Sequence, residues 1–422
     1  MSKIAVIGVG YVGLTTAVGL AHLGHQVIGV DNDIQKIEKL KLGQSPIFEK
    51  DLDKYLNENI KGNRLIFENN LEKIKDCNFV FLCLPTPQLE DGSADISTVL
   101  EVAKELNNVI VENSIVVIKS TVPIKTYEKV KKLITKQNCE IVSNPEFLRE
   151  GVALEDFLNP DRIVIGSNSK ESAEKVAELY KNINSEIIFT DNTSAELIKY
   201  ASNSYLAVRL SFVNELAAYA EKIGGNVIQV LDAMGKDKRI GNHFLKPGPG
   251  WGGMCFPKDV SELKTSAELL DQPIELLNAA LESNAKAHMR VVEKVKKLVG
   301  NDLSNKKVAT WGLSFKSNTD DTRFSPAVSV IELLIKEKAN IKAFDPVVKK
   351  LNIEGLILCD EINQSVEDVE VIVLLTEWPY FQNVDPIAIS KLVKVKNIID
   401  TRNILNKSNW ENSGFKFIGN GI

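Results

Sequence analysis

Apolar residues in the first third of the chain come in short runs separated by longer amphipathic stretches. Residues 3–8, 26–31, 78–84, 114–120, 140–143 and 162–166 read as buried strands, because their apolar residues continue without alternating with polar ones. Between the first two runs, residues 14–23 have helical spacing. Strands separated by helices predict βαβ units and a largely parallel sheet. A long helical pattern begins near Thr193, where TSAE has the form of a capping box from Thr193 to Glu196, and it runs past Leu216 to Gly224 and Gly225. A helix of that length predicts a connector with faces used against domains or a second copy of the chain. Helical spacing resumes over 260–299, and from Lys306 the strand pattern returns in KKVATWGL, ANIKAFDP, VEVIVLLTEW and VKNIIDTRN. The predicted fold is α/β, with two Rossmann-like parallel-sheet domains joined by a long central helix and a helical middle region. The expected boundaries are 1–191, 192–302 and 303–422.

Composition narrows the ligands. A chain of 422 residues with 44% hydrophobic and 25% charged residues is ordinary multi-domain globular protein. Its net charge of −5 argues against a nucleic-acid footprint, so an anionic ligand must be held by a few placed Lys or Arg side chains. MSKIAVIGVG enters a strand directly, and no apolar run approaches the roughly 20 residues that span a bilayer. A cytoplasmic protein without a membrane partner is expected. The five cysteines show no CxxC spacing and the four histidines no cluster, so neither a disulfide framework nor a metal site is expected.

GVGYVG, comprising Gly8, Val9, Gly10, Tyr11, Val12 and Gly13, follows a strand and opens a helix. Glycines there allow a tight turn and close approach to a pyrophosphate at a helix N-terminus. Asp31 ends the next strand at the offset where an acidic side chain accepts from a ribose 2′-hydroxyl and repels a 2′-phosphate, so NAD is predicted over NADP. Lys36, one helical turn on, reads as an adenosine-side contact or a solvated lysine. CLPTP and IKSTVP end strands at the edge where open α/β sheets bind cofactors, which makes Thr86, Ser120 and Thr121 candidates for the nicotinamide half or simple turn residues.

GPGWGGMCFPKD, residues 248–259, is the most informative segment. Glycine density around Cys255 lets a ligand approach the backbone, and Lys258 is placed to favour a thiolate. Cys77, Cys83 and Cys139 lie in or beside apolar strand sequence and fit a structural role; Cys255 does not. A dehydrogenase with a nucleophilic cysteine can carry an alcohol through an aldehyde, a thiohemiacetal and a thioester to an acid. Lys199 and Asn203, four apart on the long helix, share one face and present an ammonium and an amide, or else a polar surface stripe. In SNPEFLREG, Glu146 and Glu150 lie near a strand end, as water-handling and ligand-contacting groups or as surface carboxylates.

These stretches together resemble the UDP-glucose/GDP-mannose dehydrogenases over essentially the full length. The matching segments are GVGYVG, PTPQLEDGSADIS, KSTVP, NPEFLREG, the Lys199/Asn203 helix, DKRIGNHFLKPGPGWGGMCFPKD, GLSFKSNTDDTRFSPA, TEW and DTRN. The resemblance implies NAD-dependent, two-step oxidation of a nucleotide-sugar hydroxymethyl to a carboxylate, with UDP-glucose as substrate and GDP-mannose as the alternative. It implies Cys255 as nucleophile, Lys199 and Asn203 as oxyanion stabilisers, Asp259 in proton transfer through water, and Thr121 with Glu146 handling the hydrolytic water. Thr86, Ser120, Glu150, Lys258 and Arg323 become cofactor contacts. The loop at Glu146, Phe147, Leu148, Arg149 and Glu150, together with Phe244, Lys246, Gly250, Trp251 and Gly252, is implied to hold the nucleotide sugar. Phe315, Lys316 and Arg402 add contacts from the C-terminal domain, and Arg239 is implied to reach the diphosphate of a neighbouring subunit in a homodimer or larger oligomer. The sequence departs from the family pattern at Met254, where Ser or His usually precedes the cysteine, at Ser317 in FKSNTDD, and at Thr401 before Arg402.

Overall fold

A computed structural model describes residues 1–422. Contacts divide the chain into two compact units, Met1–Ser202 with Ser261–Asp271, and Asn203–Val260 with Gln272–Ile422.

The first unit is built on eight strands: β1 (Lys3–Ile7), β2 (Gln26–Val30), β3 (Leu65–Glu68), β4 (Phe79–Leu82), β5 (Ile115–Ile118), β6 (Glu140–Ser143), β7 (Arg162–Gly166) and β8 (Glu186–Thr190). Their order is β3-β2-β1-β4-β5-β6-β7-β8. All neighbours are parallel except β6 and β7, which meet antiparallel at Ser143 and Gly166. The pleat explains the unbroken apolar runs. Ile4, Val6, Phe81 and Val117 enter the core on one face, and Ala5, Ile7, Val80, Leu82, Val116 and Ile118 enter the core on the other. The chain runs from β1 outward to β2 and β3, then crosses back to place β4 on the other side of β1, and this switch point sets the cofactor crevice at the strands' C-terminal ends.

The second unit repeats this topology. Its strands β9 (Lys307–Trp311), β10 (Asn340–Phe344), β11 (Leu356–Leu358), β12 (Val371–Leu374), β13 (Asn397–Asp400) and β14 (Lys416–Ile418) lie in the order β11-β10-β9-β12-β13-β14, all parallel. Trp311 is the fully buried centre of one face, stacked on Phe381 at 5.5 Å and edge-on to Trp410.

The predicted connector is one helix of 32 residues, Asn192–Ile223, whose sequence runs from the first unit into the second. Its start differs from the capping-box reading. Asp191, not Thr193, supplies the cap: Oδ1 accepts the Ser194 N–H at 2.8 Å and Oδ2 the Ser194 hydroxyl at 2.7 Å. Glu196 turns away and accepts the N–H groups of Lys125 (2.6 Å) and Tyr127 (3.0 Å) instead. The structure adds the edge strands β3, β8, β11 and β14, which the apolar pattern does not predict; β11 and β14 have three residues each, and β8 and β11 carry no buried residue that marks a strand. No helix is long and apolar enough to cross a membrane.

Candidate active site

The dinucleotide turn is the simplest part. Gly8 has φ +84°, a conformation that side chains disfavour. A Cβ on Gly13 would lie 1.7 Å from the Gly8 carbonyl oxygen, whereas one on Gly10 would meet nothing. Packing therefore demands glycine at 13, and the space at 10 is open to a ligand. The Tyr11–His22 helix has no side-chain cap and no acidic residue in its first turn, which leaves its N–H groups for an anion. Asp31 stands at the end of β2: Oδ2 accepts the Val9 N–H at 3.0 Å and Lys36 Nζ at 2.8 Å, and Oδ1 accepts the Asp33 N–H at 3.0 Å. Lys36 thus sets Asp31 against the turn. Open N–H groups beside a fixed carboxylate fit an NAD pyrophosphate and ribose.

At the ends of β4 and β5, Thr86 donates to the Thr121 carbonyl at 2.8 Å and Ser120 to the Leu84 carbonyl at 2.8 Å. Ser120, Thr121, Ser143, Glu196 and Lys199 line a common small cavity. Lys199 and Glu146, both buried, form an ion pair at 2.8 Å. Glu146 also accepts the Leu148 N–H at 2.6 Å. Burial alone would raise the Glu146 carboxyl; the Lys199 ammonium, the Leu148 N–H and Lys119 overrule it and hold the group below the usual carboxylate range. Phe147 lies under the guanidinium of Arg162, 3.8 Å from the ring centre, and Leu148 and Glu150 are half-buried. Arg149 is exposed and bound to Asp156 through Nε at 3.0 Å and Nη2 at 2.6 Å.

One turn along the long helix from Lys199, Asn203 donates to Asp259 Oδ2 at 2.6 Å, and Lys258 donates to Asp259 Oδ1 at 2.6 Å; all three are buried. Lys258, three residues after Cys255, is thus also the ion-pair partner of Asp259. Cys255 is exposed and stands immediately before the Phe256–Glu268 helix, its carbonyl accepting the Asp259 N–H at 2.8 Å.

The glycine-rich loop has a different reason from the one its sequence suggests. A Cβ on Gly252 would lie 2.0 Å from the Phe324 carbonyl oxygen, on Gly253 2.8 Å from the Phe315 ring, on Gly250 2.5 Å from His288 Nε2, and on Gly248 2.9 Å from Arg402 Nη1. The glycines let the protein's own elements close against the segment. Trp251 anchors it, donating from the backbone to Asn284 Oδ1 and from Nε1 to Ser211 Oγ, both at 2.8 Å. Phe315 and Lys316 are half-buried neighbours, with Lys316 Nζ 5.7 Å from the Phe315 ring centre. Arg402 donates to the carbonyls of Leu375 (2.8 Å) and Phe315 (3.3 Å) and pairs with Glu377. Phe244 and Lys246 are exposed. Arg239 and Arg323 are exposed and chelate Asp237 and Asp321, each with a closest contact of 2.6 Å.

One group escaped the sequence reading. Lys119 ends β5's run and is buried, with Nζ 3.1 Å from Asn144 Oδ1, which also accepts the Tyr180 hydroxyl at 2.7 Å. Burial pulls its pKa down to about 8, with Cys83 and Glu146 opposing and Lys199 assisting. A lysine inside SIVVIKS was the available signal, since lysine is rarely buried without a task.

Two outcomes follow. Gly13→Ala should raise the Kd for NAD by more than about tenfold, measured by fluorescence titration; an unchanged Kd contradicts this account of the turn. Lys119 is protonated in both folded and unfolded chains below about 8, and above that only the unfolded chain keeps its proton until near 10.5, so its contribution to stability rises with pH in that window. The urea midpoint of the wild type relative to Lys119→Met should therefore climb from pH 8 upwards; a flat difference contradicts the shift.

Residues 2–184 match the NAD binding domain of the UDP-glucose/GDP-mannose dehydrogenase family, 193–286 its central domain and 309–407 its UDP binding domain. The UDP-glucose 6-dehydrogenase of Rickettsia felis is 38% identical over 99% of this chain and 96% of its own. A UDP-glucose dehydrogenase structure from Pyrobaculum islandicum superposes with a TM-score of 0.89 at 33% identity, covering 96% of this chain and 95% of its own. A UDP-D-ManNAc dehydrogenase structure from Pyrococcus horikoshii gives 0.90 at 29% identity, covering 99% of both. Matched across all of its domains, the chain belongs to the UDP-glucose/GDP-mannose dehydrogenase family and is an NAD-dependent dehydrogenase.

Proposed function

We propose that this enzyme oxidises the C6 hydroxymethyl of UDP-glucose to the carboxylate of UDP-glucuronate. The domains are read as NAD-binding (1–191), central (192–302) and nucleotide-sugar-binding (303–422). The carrying observation is Cys255 at a helix N-terminus, where the helix dipole favours anionic sulfur, four residues before the buried Asp259–Asn203 hydrogen bond. NAD, when bound, supplies the hydride acceptor for both oxidations. Asp259 takes up the alcohol proton through water. Cys255 Sγ then bonds to C6 of the aldehyde, giving a thiohemiacetal whose oxyanion is held by the Lys199 ammonium and the Asn203 amide. At the thioester stage, Glu146 and Thr121 orient a water; its oxygen bonds to C6, the C–S bond breaks, and the sulfur departs as thiolate. One alcohol, two NAD and one water thus yield one carboxylate, two NADH and three protons. The same chemistry on GDP-mannose is the alternative, decided by competition between the two sugars.

The long helix also supports a homodimer. Tyr205, Phe212 and Tyr219 recur every seven residues on one face and are 64%, 51% and 63% exposed, followed by Ile223 at 62%. Such an apolar stripe on a rigid helix suits a second copy of itself.

Absorbance at NADH's band should give two NADH per UDP-glucose, and a ratio of one overturns the mechanism. Cys255→Ala should abolish acid formation, and Asn203→Ala should lower kcat by about 10²–10³. Phe212→Glu with Tyr219→Glu should convert a dimer to monomer in sedimentation velocity; an unchanged sedimentation coefficient sinks the interface.

A further inference from the structure

Glu49 belongs to no motif read from the sequence. It sits in the connection between the Ile34–Lys41 and Leu52–Lys61 helices. Yet its carboxylate joins segments far apart in the chain. Oε1 accepts the Ala153 N–H at 2.7 Å, where the Ala153–Leu158 helix begins. Oε2 accepts the Gly151 N–H at 2.8 Å and the Tyr11 hydroxyl proton. The Gly151 N–H also reaches Tyr11 Oη at 2.6 Å. Tyr11 is the first residue of the helix that opens from the dinucleotide turn. Burial first, and the Glu49 hydrogen bond second, keep its hydroxyl protonated, so it remains a donor. Gly151 has φ +84°, so the direction of its N–H depends on a conformation that glycine tolerates.

The segment held in this way is 146–151. Glu146 at its start is tied to Lys199. Gly151 at its end is tied to Glu49. The loop is strung between two carboxylates, and the second of them also grips the cofactor turn. Tyr11 cannot move independently of the turn whose helix it begins, because that helix is one hydrogen-bonded body. A ligand that fixes the turn therefore fixes the Tyr11 hydroxyl, and Glu49 relays this to the two backbone N–H groups.

We propose that Glu49 is a positioning residue that couples dinucleotide occupancy of the turn, through the Tyr11 hydroxyl, to the placement of loop 146–151. This rests on the assignment of NAD to the turn and of Glu146 to the water step. The consequence is linkage: NAD binding sets the loop, and a set loop tightens NAD in return.

Amide hydrogen exchange on the full-length protein, with and without saturating NAD, tests this. In the wild type, NAD should slow exchange at Gly151 and Ala153 by about tenfold. In Glu49→Gln that NAD-dependent ratio should fall below about twofold. Tyr11→Phe keeps both carboxylate bonds to the backbone and removes the hydroxyl with its bonds to Glu49 and to the Gly151 N–H, so it should lose the ratio while exchange at Ala153, which does not touch Tyr11, stays at the wild-type rate without NAD. The double variant should lose no more than the worse single one. A purely structural Glu49 would speed exchange equally with and without NAD, and that result overturns the proposal. So does protection that survives in Tyr11→Phe. NAD that binds the wild type without protecting these amides overturns the coupling alone; a wild type that binds no NAD overturns the cofactor assignment as well.

Discussion

The chemistry proposed for this enzyme depends on one helix holding a lysine and an asparagine a turn apart. In the Asn192–Ile223 helix, four residues of rise separate Lys199 from Asn203 by roughly 6 Å along the axis. That spacing is backbone geometry, independent of what surrounds it. What surrounds it sets the direction of each side chain. Lys199 is drawn to Glu146 and Asn203 to Asp259, each carboxylate within the same compact unit as its partner. A long, flexible lysine side chain becomes a defined donor only because a buried carboxylate makes one geometry far better than the rest.

The burial of these groups has a cost that shapes the remainder. Charges taken from water must be paired, and removing one partner leaves the other stranded. Lys119, Glu146 and Lys199 form a run of alternating sign inside the first unit, so each charge moderates the next. Lys258 and Asp259 do the same beside the cysteine segment. Cys255 alone of these groups is exposed, which suits the nucleophilic role proposed for it.

The glycines divide into two kinds. Gly13 and Gly252 have no room for a methyl group because backbone oxygens lie against them, and Gly10 has room that nothing in the protein fills. Glycine-rich sequence by itself therefore does not separate a ligand's approach from the protein's own close packing. Only the atoms opposite each Cα do, and those come from Gly8, Phe324 and Arg402, which sequence position does not place.

Much was legible in the sequence because the governing rules are local. The unbroken apolar runs determined the central strands and both parallel sheets. GVGYVG with Asp31 determined the cofactor class, and helical period determined that Lys199 and Asn203 share a face. The glycine-rich segment singled out Cys255. Partnership was not legible. That Asp191 caps the long helix, that Lys258 pairs with Asp259, that Lys119 lies buried, and that Glu49 binds Tyr11 to Gly151 are products of folding. A side chain's own chemistry limits which bonds it can make, but which bond it does make is decided by atoms that the chain brings near from tens to more than a hundred residues away.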